Sequence, residues 1–154
     1  MSQSRTSRRA LLTAAVAVPA AAVSAPLIAT PAAAADVPGG ISVVQDWQPL
    51  ALAAGVTAAV DAPAARVVKI AGTDFLQMRG GFTCTFTGDA VLGTLPAAIT
   101  VPKTMRGVCP RNNSLGINSC RVEVNTAGKI TVFGATASND ITWVTLDSYS
   151  VVLA

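Results

Sequence analysis

Between Leu76 and Phe86 the character of the side chains alternates almost residue by residue. Leu76, Met78, Gly80, Phe82, Cys84 and Phe86 share one face, and Gln77, Arg79, Thr83, Thr85 and Thr87 share the other. A period of two belongs to an extended strand with one buried face; a helix would repeat every 3.6 residues. The same alternation returns in Cys120, Val122 and Val124 against Arg121, Glu123 and Asn125. It returns again in Ile141, Trp143 and Thr145 against Thr142, Val144 and Leu146. Asn125-Thr-Ala-Gly128 makes a tight connection into Lys129-Ile-Thr-Val-Phe133, and a last strand runs from Tyr149 to Leu153. Short strands spaced by Gly, Asn, Asp and Pro predict an all-β chain, an antiparallel β-sandwich of jelly-roll type. The Ala-rich stretch 49–64 is the one rival for helix. Gly55, the β-branched Val56-Thr57 and Pro63 favour strand or loop there.

The first 35 residues read as an address label. Arg8-Arg9 precede an Ala-rich, weakly apolar run that ends in Ala32-Ala-Ala-Ala35. A basic start, a short apolar middle and small residues at the end form a cleavable export signal. The arginine pair points to the twin-arginine route, with the general secretory route as the rival. A spanning helix needs roughly 20 strongly apolar residues, whereas this run is interrupted by Pro19, Pro26 and Pro31. The expected organisation is therefore a signal peptide over 1–35, an extended lead-in over 36–45 and a single β-sandwich domain over 46–154. The protein is expected outside the cell, with no stable membrane anchor after cleavage.

With 35 of the 154 residues removed, 119 remain, enough for one domain with its own core. Arg5, Arg8 and Arg9 leave with the leader, so the 11 basic residues of the whole chain fall to 8, matching its 8 acidic ones. A neutral domain gives no electrostatic reason to expect nucleic acid as a partner.

Catalytic chemistry is thinly represented. There is no His, which removes Ser-His-Asp and Cys-His arrangements and the commonest zinc ligand. Cys84, Cys109 and Cys120 form no CxxC pair, and no phosphate-cradling glycine motif occurs. Asp74, Asp89 and Asp140 stand in turn contexts, where Asp is favoured for its backbone hydrogen bonds. No cofactor, metal or catalytic residue is expected. A two-carboxylate hydrolase is the least favoured alternative.

In an oxidising exterior cysteines cross-link. Cys109 and Cys120 flank the segment 110–119, and a hairpin would set them face to face. A Cys109–Cys120 bridge is favoured, with Cys84 a buried thiol between Phe82 and Phe86; the competing pairs put Cys84 in the bridge. The same segment is read as a loop and carries the candidate ligand-binding residues Arg111, Asn112, Asn113 and Asn118, with Ser114 beside them. Such a density of donors and acceptors suits a hydroxyl-rich ligand. Trp47 and Trp143 could stack on sugars, but a Trp on an alternating strand is expected in the core.

From Trp47 onward several short motifs follow in a fixed order. Trp47-Gln-Pro-Leu-Ala-Leu52 is followed by Gly55, and Phe75-Leu-Gln-Met-Arg-Gly80 ends in an Arg-Gly step. Gly93-Thr-Leu-Pro96 and Val101-Pro102 come next, then Val122-Glu-Val-Asn-Thr-Ala-Gly128, Trp143-Val-Thr-Leu-Asp147 and the strand from Tyr149. This order resembles the small β-sandwich domains that end many bacteriophage tail-fibre and baseplate proteins. The resemblance implies a homotrimer that binds saccharides or other cell-surface structures. The expected function is a secreted, non-catalytic module recognising a surface glycan or a protein partner. The alternative is an adaptor subunit of a larger secreted assembly, docking through 36–45 or an exposed sheet edge.

Overall fold

The computed structural model describes residues 40–153. The expected leader, with Arg8 and Arg9, lies outside the described residues. Within them the chain forms twelve strands and no helix. They are β1 (Ile41–Pro49), β2 (Ala51–Leu52), β3 (Thr57–Ala58), β4 (Ala64–Ile70), β5 (Thr73–Arg79) and β6 (Gly81–Phe86). After them come β7 (Ala90–Thr94), β8 (Met105–Ser114), β9 (Ile117–Val124), β10 (Lys129–Phe133), β11 (Ile141–Thr145) and β12 (Ser150–Val152). The Ala-rich stretch 49–64 is loop and short strand, as its β-branched residues and Pro63 require.

A four-stranded sheet in the order β1-β4-β5-β12 packs with an eight-stranded sheet in the order β2-β7-β10-β9-β8-β11-β6-β3. Every pairing between these strands is antiparallel. The molecule is an antiparallel β-sandwich, as the alternation predicted. One apolar core draws on both sheets: Leu76, Phe82, Val122, Val124, Ile130, Val132, Ile141 and Leu146 have no exposed surface. The sheet begins earlier than the sequence indicates. Ile41 to Gln45, expected as lead-in, already pair with β4, Ile41 facing Ile70 and Gln45 facing Val67.

The alternating run 76–86 is two strands in two sheets. β5 belongs to the small sheet and β6 to the large one, and the chain turns between them at Gly80. Gly80 has φ of 77°, and a Cβ there would lie 2.5 Å from the Ala62 carbonyl oxygen and 2.6 Å from that of Asp61. Only glycine fits such a corner. Its polar groups are all met. The Gly80 N–H donates to Asp147 Oδ1 at 2.8 Å, its carbonyl accepts from Leu146 N at 2.8 Å, and Gly81 N donates to Asp61 O at 2.9 Å. Inward parity passes through the corner unbroken, so Leu76, Met78, Phe82 and Cys84 are all buried.

The segment 110–119, expected as a loop, is strand. β8 and β9 run on to a tight turn at Leu115 and Gly116, both at positive φ (51° and 77°), with Ser114 facing Ile117. That pair of left-handed residues matches the twist of a hairpin. The Asn125–Gly128 connection forms as expected, with Asn125 Oδ1 accepting from Ala127 N at 3.1 Å and Lys129 N at 2.9 Å.

Candidate functional site

The outer face of β8, β9 and β11 holds a recess of about 610 Å³, lined by residues that include Val108, Asn113, Asn118 and Trp143. Its shape follows from parity. Cys109 points inward on β8, so Val108 and Pro110 point out, and Val108 is 66% exposed. On β11 the parity changes along the strand. Ile141 pairs with Phe86 and Trp143 with Thr83, so Cys84 and Thr85 both face Thr142. Across this slip Ile141 and Val144 point inward, while Thr142 and Trp143 both point out. Irregular pairing of this kind re-aims a side chain. Trp143, expected in the core, is 40% exposed.

The candidate ligand residues divide by the same rule. Asn113 and Asn118 are exposed and line the recess with Ser119 and Ser148. Arg111 belongs to the interior, with 1% of its surface exposed. Its Nη2 donates to Asn139 Oδ1 at 2.7 Å and Asp140 O at 2.6 Å, and its Nε donates to Asn112 O at 3.1 Å. Asn112 is engaged on both ends of its amide: Nδ2 donates to Asp140 O at 3.0 Å and Oδ1 accepts from Thr142 N at 2.9 Å. β8 and β11 share a single register pair, Val144 with Arg111. These two side chains thus tie the start of β11 to β8 where the backbone ladder is short.

Three thiols lie in the interior, and two of them, Cys84 and Cys120, interact with Arg111. Cys109 faces Cys120 directly across β8 and β9, and all three cysteines are free in this structure. Burial pushes the thiols up, to about 11 for Cys84 and Cys120 and about 12 for Cys109. The Arg111 guanidinium pulls Cys84 and Cys120 the other way without overcoming that burial. The sulfur positions give no group of three potential ligands suited to a metal ion among the described residues.

The acidic side chains mostly serve the backbone or pair with cations. Asp89 Oδ1 accepts from Gly134 N at 3.1 Å, Asp147 holds Gly80, and Glu123 pairs with Arg106 at 2.7 Å and Arg121 at 3.1 Å. The residues that sequence reasoning missed in the recess are Val108, Pro110, Ser119 and Ser148. Once Cys109 and Cys120 are set inward, parity alone puts Val108, Pro110 and Ser119 on the outer face. Ser148 arrives from the β11–β12 connection, where its hydroxyl donates to Val108 O at 3.1 Å; no spacing in the sequence announces that.

No protein-family model matches the chain, and no curated protein is detectably similar to it in sequence. Solved structures do match in shape. The receptor-binding protein gp15 of Listeria phage PSA superposes with a TM-score of 0.54 at 17% identity, over 76% of this chain and 67% of that one. The head domain of lactococcal phage bIL170, described among receptor-binding domains of lactococcal phages, superposes with a TM-score of 0.50 at 17% identity, over 71% of this chain and 99% of that one. The fold of this chain is thus that of phage receptor-binding domains, in agreement with the resemblance carried by its motifs.

Proposed function

We propose that this chain is an exported, non-catalytic binding module that recognises a cell-surface glycan through the recess around Trp143. One observation carries the reading: a parity slip in β11 turns Trp143 outward beside Val108, within reach of the amides of Asn113 and Asn118. An aromatic platform gives a sugar ring an apolar face to stack on, and amides and hydroxyls at its edge hydrogen-bond the ring hydroxyls. The receptor-binding neighbours support a binding role, and the leader motif supports export. A homotrimer, as the resemblance implies, is part of the same reading.

A glycan array probed with the purified domain tests this. Trp143→Ala and the double variant Asn113→Ala/Asn118→Ala should each weaken the leading signal by about tenfold, equivalent to ~1.4 kcal/mol, with thermal stability unchanged. A domain that binds no glycan and no cell-wall preparation would overturn the reading.

A second reading has its own support. β1 is an edge strand of the small sheet and leaves Ile41, Val43 and Val44 73%, 57% and 54% exposed. An unpaired apolar edge is a template for strand addition, as an adaptor subunit would use. Such a subunit would recover a stoichiometric partner from culture supernatant, and Val43→Lys would abolish that recovery.

A further inference from the structure

The small sheet carries a second constellation, unrelated to the Trp143 recess. β1 pairs Gln45 with Val67 and Gln48 with Ala65, so Asp46 and Trp47 together oppose Arg66 alone. This bulge sets the Trp47 ring 4.5 Å from the Arg66 guanidinium carbon and 4.3 Å from that of Arg79. Arg66 faces Gln77 across β4 and β5, and Gln77 faces Ser150 across β5 and β12. A polar row therefore crosses all four strands of the sheet, with Arg79 two residues along β5. These side chains line a recess of about 210 Å³. A neighbouring recess of about 410 Å³ shares Arg79 and Asp147 with it.

The arrangement gathers two guanidiniums on one ring, with Asp147 lining the same recess and Asp61 the neighbouring one. Neither Arg66 nor Arg79 forms an ion pair among the described residues, although Lys69, Arg106 and Arg121 do. Arg66 Nε donates to Gln77 Oε1 at 2.8 Å, which fixes the plane of its guanidinium and leaves its terminal nitrogens without a side-chain hydrogen bond among the described residues. Asp147, the acid in the recess, has one oxygen committed to the Gly80 N–H. Two guanidiniums gathered on one indole repel each other, and the ring's negative face offsets only part of that. An anion bridging them would relieve the rest, and guanidinium forks match the oxygens of a carboxylate or phosphate. Around that point Ser150, the Gln77 amide and the second Asp147 oxygen offer donors and acceptors suited to hydroxyl groups.

We propose that the Trp47–Arg66–Arg79 recess binds an acidic sugar, with the anionic group held between the two guanidiniums and the hydroxyls by Gln77, Ser150 and Asp147. Trp47 orders the arginines rather than stacking on the sugar. The site is independent of the Trp143 recess, and its test removes that recess from the readout.

The chain has 2 tryptophans, so Trp143→Phe leaves Trp47 as the sole indole reporter. Its fluorescence and its indole N–H resonance are followed during titration with glucuronate, glucose 6-phosphate, glucose and inorganic phosphate. A saturable change with glucuronate or glucose 6-phosphate and none with glucose is expected; which acid binds better identifies the anionic group. Arg79→Gln, at an exposed position, should weaken that response by about tenfold while the urea midpoint stays fixed. Arg66→Lys, which keeps the charge and loses the planar fork, should weaken it as well. Absence of a response to both sugar acids overturns the site. An equally strong response to inorganic phosphate overturns its assignment to a sugar.

Discussion

Arg111 shows how far a residue's role depends on the side of the strand it occupies. In sequence it sits in one polar run with Asn112, Asn113 and Asn118, all suited to a ligand. In the fold it shares inward parity with Cys109 and lines the recess with 1% of its surface exposed, Asn112 does not line it, and Asn113 and Asn118 line it as exposed residues. A buried guanidinium without a carboxylate partner is costly, and here three oxygens meet it while Nη1 is buried without a hydrogen-bond partner. Its function is to replace backbone pairing between β8 and β11. Arg111→Met keeps much of the volume but strands the buried Asn139 acceptor and leaves the Asp140 carbonyl with Asn112 alone, so it should destabilise the domain by about 2 kcal/mol. Amide exchange should show Thr142 among the first protons to lose protection. An unchanged urea midpoint would refute the role. The sequence displayed the right polar cluster, but neighbours in the chain are not neighbours on a surface when the period is two.

At the scale of elements, most strands were legible because alternation and turn residues agree. Asn125–Gly128 announced its hairpin with familiar turn chemistry. Leu115-Gly116 did not, since leucine rarely accepts a φ of 51° and nothing in its side chain signals a turn. That is why 110–119 read as loop. Pairing slips were equally silent, and one of them decides whether Trp143 faces core or solvent. The β8–β9 hairpin nevertheless sets Cys109 opposite Cys120, although both thiols are free and that of Cys120 donates to the Cys109 carbonyl oxygen at 3.6 Å. Under a mild oxidant this pair should cross-link, with Cys84 recovered as the free thiol by peptide mapping. The bridge should raise stability by roughly 3 kcal/mol in the chain-entropy view. Because the thiolate is the reactive form and these thiols sit at about 11 and 12, cross-linking should be slow at neutral pH and faster in alkali. A bridge containing Cys84 would overturn the pairing.

Across the whole molecule the buried acids of the interior make stability depend on pH at the alkaline end. Cys84, Cys109, Cys120 and Tyr149 are all pushed up by burial. In the unfolded chain a thiol ionises near pH 8.5. Below that value both states hold the protons and this contribution is complete. As pH rises toward 11 and 12, the unfolded chain releases protons that the folded one retains, and stability falls. Urea midpoints should therefore be level from pH 7 to 8 and decline steadily by pH 10.5. A double variant Cys84→Ala/Cys120→Ala should show a shallower decline; an identical slope would remove the thiols as its cause.

The turned-out Trp143 has a further consequence, for how such domains diverge. Inward positions hold the sandwich together, while the recess is lined mostly by outward ones, with Cys109 and Arg111 behind them. Substitutions on the outer face can then accumulate freely while the interior changes under tighter constraint. A fold shared at 17% identity fits that division between inner and outer positions.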